Sequence, residues 1–91
     1  MTPILFYDTE TSDLPLFSQP SEDPGQPHIV QLAALLVDAD TRQTISSMDL
    51  IVRPEGWSIS AATTAIHGIT NEHAQAVGVS ESLVLELFME L

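Results

Sequence analysis

Ile4-Leu5-Phe6-Tyr7-Asp8-Thr9-Glu10 is the stretch from which the rest of this chain is read. A run of branched and aromatic residues predicts a short strand, and that strand delivers two carboxylates at its end. Side chains two apart on a strand point to the same face, so Asp8 and Glu10 converge on one point while Thr9 faces away. A hard divalent cation such as Mg²⁺ or Mn²⁺ takes oxygen ligands. A pair of carboxylates on a rigid strand presents them without the entropy cost of ordering a loop. The same pair would also mark an ordinary place where a buried strand meets water, and Asp-x-Glu alone does not separate the two readings.

The continuation carries more. Asp8-Thr9-Glu10-Thr11-Ser12-Asp13-Leu14 resembles the first motif of the DEDD family of 3′–5′ exonucleases, the group that includes the proofreading subunit of bacterial replicative polymerases. Pro27-His28-Ile29-Val30-Gln31-Leu32-Ala33-Ala34 and Ala65-Ile66-His67-Gly68-Ile69-Thr70 are similar to later segments of that family, in the family's order. The similarity runs from about Pro3 to the last residue. In the family a second and a third acidic motif follow, each supplying another metal-binding Asp, and neither is found among these residues. The expectation is therefore that residues 1–91 are an N-terminal portion of a single exonuclease domain with no internal boundary, carrying only the first acidic motif.

Composition bounds the reading from the other side. At 44% hydrophobic the 91 residues are too apolar to be disordered, despite a net charge of −11. Arg42 and Arg53 are the only Lys or Arg residues, so the basic footprint of an autonomous nucleic-acid binder is missing. That absence weighs less against a metal-dependent nuclease, whose bound cations reverse the field of its acidic site. With no cysteine, neither disulfides nor thiolate metal sites are available. The longest apolar run, residues 32–37, is too short to cross a bilayer, and no leader-like start is visible; a cytoplasmic protein with no membrane partner is the expectation.

Along the chain, Pro15, Pro20, Pro24 and Pro27 make residues 13–27 a loop leaving directly from the two carboxylates. Leu14, Leu16 and Phe17 within it either pin the loop to the core or, for Leu14, wedge against the terminal base of a strand. Residues 29–37 are apolar on both faces and predict a central strand buried on both sides, with Gln31 needing a hydrogen-bond partner. Asp38-Ala39-Asp40 reads as a hairpin turn. In the next strand Met48, Leu50 and Val52 share one face. Ser60, Thr70 and Ser80 are each placed to cap a helix, and Gly68 and Gly78 to close the first two. The last helix carries Leu83, Val84, Leu85, Leu87, Phe88, Met89 and Leu91, which is more than one apolar stripe and calls for burial on most sides.

Three strands that can pair as an antiparallel meander, followed by helices, match the opening of the α/β ribonuclease H-like fold that the resemblance implies. It also implies two-metal phosphodiester hydrolysis with Mg²⁺ or Mn²⁺, with Asp8 bridging both ions and Glu10 binding the one that carries the nucleophilic water. Thr9, Thr11, Leu14, Ile66 and His67 would meet the substrate, the 3′ end of a nucleic acid, with single-stranded DNA preferred over RNA because of the His-Gly-Ile-Thr segment. A polymerase or replication partner would follow from the same resemblance. His67 also reads as a helix-terminal histidine bonded to backbone; His28 and His73 read as structural or solvent-exposed. Asp13 stands where the family commonly has Gly. The rivals are an exonuclease remnant serving as an interaction module or self-associating through its apolar helix, an exoribonuclease, and an aspartate-nucleophile phosphatase, against which Glu10 and the Ile-His-Gly-Ile segment argue.

Overall fold

The computed structural model describes residues 1–13, 17–20, 23 and 25–91. Three strands come first, β1 (Pro3–Thr11), β2 (Ile29–Asp38) and β3 (Thr44–Ile51), then three helices, α1 (Ala61–His67), α2 (Asn71–Val77) and α3 (Glu81–Met89). The strands form the expected meander in the order β1-β2-β3, both pairs antiparallel. The turn between β2 and β3 is longer than Asp38–Asp40. Arg42 donates to Asp38 O at 2.7 Å and takes the left-handed conformation, φ 62°, without a glycine.

Register assigns the faces. Thr9 lies opposite Leu32 and Tyr7 opposite Ala34, while Asp8 lies opposite Ala33 and Glu10 opposite Gln31. On β3, Leu50 and Met48 join the first set and Asp49 the second. The helices pack on the first face, where Val30, Leu32 and Ala34 are buried. Leu35, on the other face, keeps 39% of its surface exposed. Two-sided burial of β2 therefore does not hold: alternate residues are buried, because among the described residues helices cover one side of the sheet. An apolar run reports tolerance for two-sided burial, and packing decides whether it occurs.

Two groups of side chains make the core. Val30, Ile59, Ile69 and Ala74 form one, and Leu32, Val52 and Val84 the other; Trp57 packs against both. The three caps act as read. Ser60 accepts from Thr63 N, Thr70 from His73 N and Ser80 from Leu83 N, and Gly68 takes the left-handed conformation at φ 78°. Each satisfies one of the orphaned amides of a helix start. On α3, Val84 is buried, whereas Leu83, Leu85 and Leu87 are each 43% exposed. The sheet covers one flank of that helix, so the burial on most sides that its several apolar stripes call for is not met among the described residues. Phe17 is exposed and does not pin its loop; Leu14 and Leu16 lie outside the described residues. No helix among the described residues is long and apolar enough to cross a membrane.

At the far end of the sheet from the Asp8–Glu10 pair, Asp38 accepts hydrogen bonds from the amides of Asp40 and Thr2. These, Asp40 first, hold its carboxyl below its ordinary value near 3.8. A depressed acid contributes stability that is present above the unfolded value and is lost as pH falls through the lower folded one. The Asp40 amide resonance is therefore expected to titrate with a midpoint below 3.8, and an NMR midpoint at or above that value would contradict the bond.

Candidate active site

Asp8 and Glu10 occupy the face of β1 turned away from the helices. Together with Thr9, Gln31 and Ala33 they line a concavity of about 180 Å³. Asp8 is exposed and Glu10 half-buried. Neither accepts a hydrogen bond or an ion pair from any described residue. Gln31 does find its partner: its Nε2 donates to Asp49 Oδ1 at 2.9 Å, on the same face. Of the two arginines, Arg53 is held by Glu55 at 2.8 Å and Arg42 belongs to the β2–β3 turn. The chain's own cations leave the two carboxylates uncompensated.

That donor set fits a hard divalent cation in kind, since both ligands are anionic oxygens with no competing partner. It is small in number. No group of three or more His, Cys, Asp or Glu side chains assembles among the described residues. Asp8 and Glu10 are the residues that would hold such an ion.

A second cavity, about 230 Å³, adjoins the first through Thr9 and Glu10 and reaches across to α1. Its walls are Thr9, Glu10, Thr11 and Asp13 on one side and Thr63, Ile66 and His67 on the other. Thr11 Oγ1 donates to Asp13 O at 2.7 Å, which turns the chain at the rim. Ile66 is 82% exposed and offers an apolar surface to the opening. His67 ends α1, where its Nδ1 accepts the Ile69 amide at 3.0 Å. An N–H donor needs the lone pair of Nδ1, so the neutral ring carries its proton on Nε2. That Nε2 is buried and has no partner among the described residues. A buried donor left unpaired costs free energy until something accepts from it.

Six of the seven residues singled out in the sequence thus surround two adjoining concavities, and Leu14 lies outside the described residues. Sequence reasoning overlooked Thr63 and passed over Asp13 as a wall residue. Thr63 carries only the signal of its helical spacing, three and four residues before Ile66 and His67. His73 is exposed, and His28 is structural, hydrogen-bonded through Nδ1 to Glu81.

The model of the family described as exonuclease (RNase_T) matches residues 5–91. Among curated proteins none matches. Among solved structures the chain is similar to Exonuclease I of E. coli in complex with a dT13 oligonucleotide, at TM-score 0.75 and 22% identity over 99% of this chain. Exonuclease I of Methylocaldum szegediense gives TM-score 0.75 and 22% identity over 99% of this chain. A full-length 3′-exonuclease gives TM-score 0.70 and 20% identity over 97%. The chain spans 18% of each Exonuclease I chain and 28% of the 3′-exonuclease. At such identity the likeness is one of fold, the ribonuclease H-like α/β fold of exonuclease domains.

Proposed function

This chain belongs to the exonuclease family, and from that premise we propose that it supplies the first acidic motif of a metal-dependent 3′–5′ exonuclease acting on single-stranded DNA. The observation that carries the proposal is the pair Asp8 and Glu10 on one face of β1, without counter-charges, lining a concavity that adjoins, through Glu10, the cavity ending at His67. We read residues 1–91 as lying within one exonuclease domain, with no internal boundary.

When bound, divalent cations would supply activation of the attacking water and charge stabilisation of the leaving oxygen. The chain's own residues do the rest of what is assigned here. Asp8 and Glu10 bind and orient; β1 holds them rigidly through its ladder with β2. Ile66 gives an apolar surface for a terminal base, and the orphaned Nε2–H of His67 offers a donor to the terminal nucleotide. Thr9 and Thr11 line the opposite wall. The oligonucleotide bound in the E. coli Exonuclease I structure supports single-stranded DNA as the substrate class.

Two carboxylates leave a divalent cation short of protein ligands, and a constellation loses most of its effect when members are missing. The 91-residue chain by itself is therefore expected to bind Mn²⁺ weakly and to leave a 5′-labelled single-stranded oligonucleotide intact. Calorimetry of wild type and Asp8→Ala, beside a gel assay with DNA and RNA, tests this. A small heat that vanishes in Asp8→Ala supports the site. Tight binding that survives the substitution, or 3′ shortening unaffected by Glu10→Ala, would sink it.

The second reading is an interaction module, favoured by the apolar flank of α3 at Leu83, Leu85 and Leu87. It predicts concentration-dependent self-association in light scattering and no Asp8-dependent metal heat.

A further inference from the structure

His28 is held at its ring face, at Nδ1 and through its backbone. Its ring lies flat on Trp57, centroids 4.5 Å apart and planes within 4°. Its Nδ1–H donates to Glu81 Oε1 at 3.1 Å. The other oxygen of Glu81 accepts the amide of Ile29 at 3.0 Å. The backbone of His28 meets Ser12 in a reciprocal pair: Ser12 N donates to His28 O, and His28 N to Ser12 Oγ, both at 2.9 Å. One residue therefore joins the end of β1, the start of β2, the first residue of α3 and the tryptophan that packs against both core groups.

The place it fastens lies two residues beyond Glu10. The register of β1 against β2 slips between Glu10 and Thr11. The extra residue is Val30 of β2, so the ladder is interrupted beside Glu10 and the end of β1 beyond the slip is defined by the contacts made after it. Here the ladder resumes at Thr11 opposite Ile29, and Ser12 opposite His28 follows at once. That pair fastens the end of β1 to the start of β2 directly beyond the slip. Glu10, Thr11 and Asp13 form the wall of the cavity opposite His67, so what fixes the end of β1 also fixes that wall.

We propose that His28, clamped between Trp57 and Glu81, is a positioning residue that sets the direction of Glu10 relative to Asp8 and so tunes cation binding. The proposal rests on the carboxylate pair being a cation site. Its test separates the two. The affinity for Mn²⁺, read from the EPR signal of the free ion, is measured on the 91-residue protein for wild type, Asp8→Asn, His28→Ala, His28→Gln and Thr2→Val, with thermal unfolding on each. Outer partners of metal ligands typically change affinity about tenfold or more. His28→Ala is expected to weaken binding about tenfold, and His28→Gln, which can still donate to Glu81, to stay within roughly threefold of wild type. Thr2→Val removes bonds to Asp40 at the far end of the sheet and should bind as wild type does.

Wild-type affinity in His28→Ala with binding abolished in Asp8→Asn overturns the clamp and leaves the site standing. Unchanged binding in Asp8→Asn removes the site, and the clamp with it. An equal loss in Thr2→Val and His28→Ala reduces the effect to stability and also overturns it. If His28→Ala does not fold, the wild type decides: Trp57 is the chain's one tryptophan, and saturating Mg²⁺ must change its emission, whereas an unchanged spectrum counts against the coupling.

Discussion

Asp8→Asn is expected to lower metal-dependent 3′ shortening of single-stranded DNA, by the domain that contains these residues, about 10³-fold or more while leaving its stability within about 0.5 kcal/mol. The two halves of that expectation come from different observations. Asp8 is exposed, and it accepts nothing from the described residues, so the substitution breaks no bond among them. It also removes one of two negative charges that stand two residues apart on a strand. At about 6.5 Å in water such a pair repels by roughly 0.6 kcal/mol, so the variant should be neutral or slightly more stable. The loss in rate follows because an amide of the same shape neither carries the charge that draws a cation nor offers two anionic oxygens to it. Turnover with saturating Mg²⁺, set beside thermal unfolding, decides the matter. A loss under tenfold, or a loss matched by a falling transition temperature, would show that Asp8 has been given the wrong role.

Gly78→Ala should do the reverse, destabilising the fold by about 3 kcal/mol or more with no direct contact to the carboxylates. Gly78 has an ordinary extended conformation, φ −72° and ψ 154°, so its backbone does not demand glycine. Space does. A Cβ built there would collide with Ala74 O and come within 2.5 Å of Arg53 N and 2.6 Å of Arg53 Cα. All three are backbone atoms and cannot swing aside. The end of α2 is drawn against the continuation of β3 by a parallel bridge between Val52 and Val79, with Arg53 N donating to Val79 O and Val79 N to Ile51 O, both at 2.8 Å. A methyl group forces that seam open. Gly68 is the control: its φ is 78° but nothing lies within 4 Å of its missing Cβ. Alanine there pays only for the left-handed conformation, about 1–2 kcal/mol. Against a net stability of about 5–15 kcal/mol the two substitutions are easily told apart by urea unfolding. An order of effects with Gly68→Ala the worse would overturn the assignment of Gly78 to a close approach.

Several features were legible in the residues because each depends on its immediate neighbours. Ser60, Thr70 and Ser80 cap because a hydroxyl three residues upstream reaches an amide that the helix leaves free. Gly68 ends α1 because only a residue without Cβ takes that conformation cheaply. Asp8 and Glu10 share a face because the period of a strand is two. Local chemistry therefore determined the element order, the helix boundaries and the pairing of the two carboxylates.

Tertiary structure decided the rest, and for one physical reason: burial and proximity depend on which surfaces meet. The apolar run of β2 is equally suited to one covered face or two, and only the seating of the helices leaves Leu35 open and Leu32 buried. The same holds for α3, where Val84 rather than Leu83 or Leu87 meets the core. Gly78 looked like a helix terminator, yet its constraint is the backbone of Arg53, twenty-five residues earlier in the chain. His28 stands in a family-like segment that gave it no role of its own; its meaning lies in Trp57, Glu81 and Ser12, which only the folded chain brings to one place.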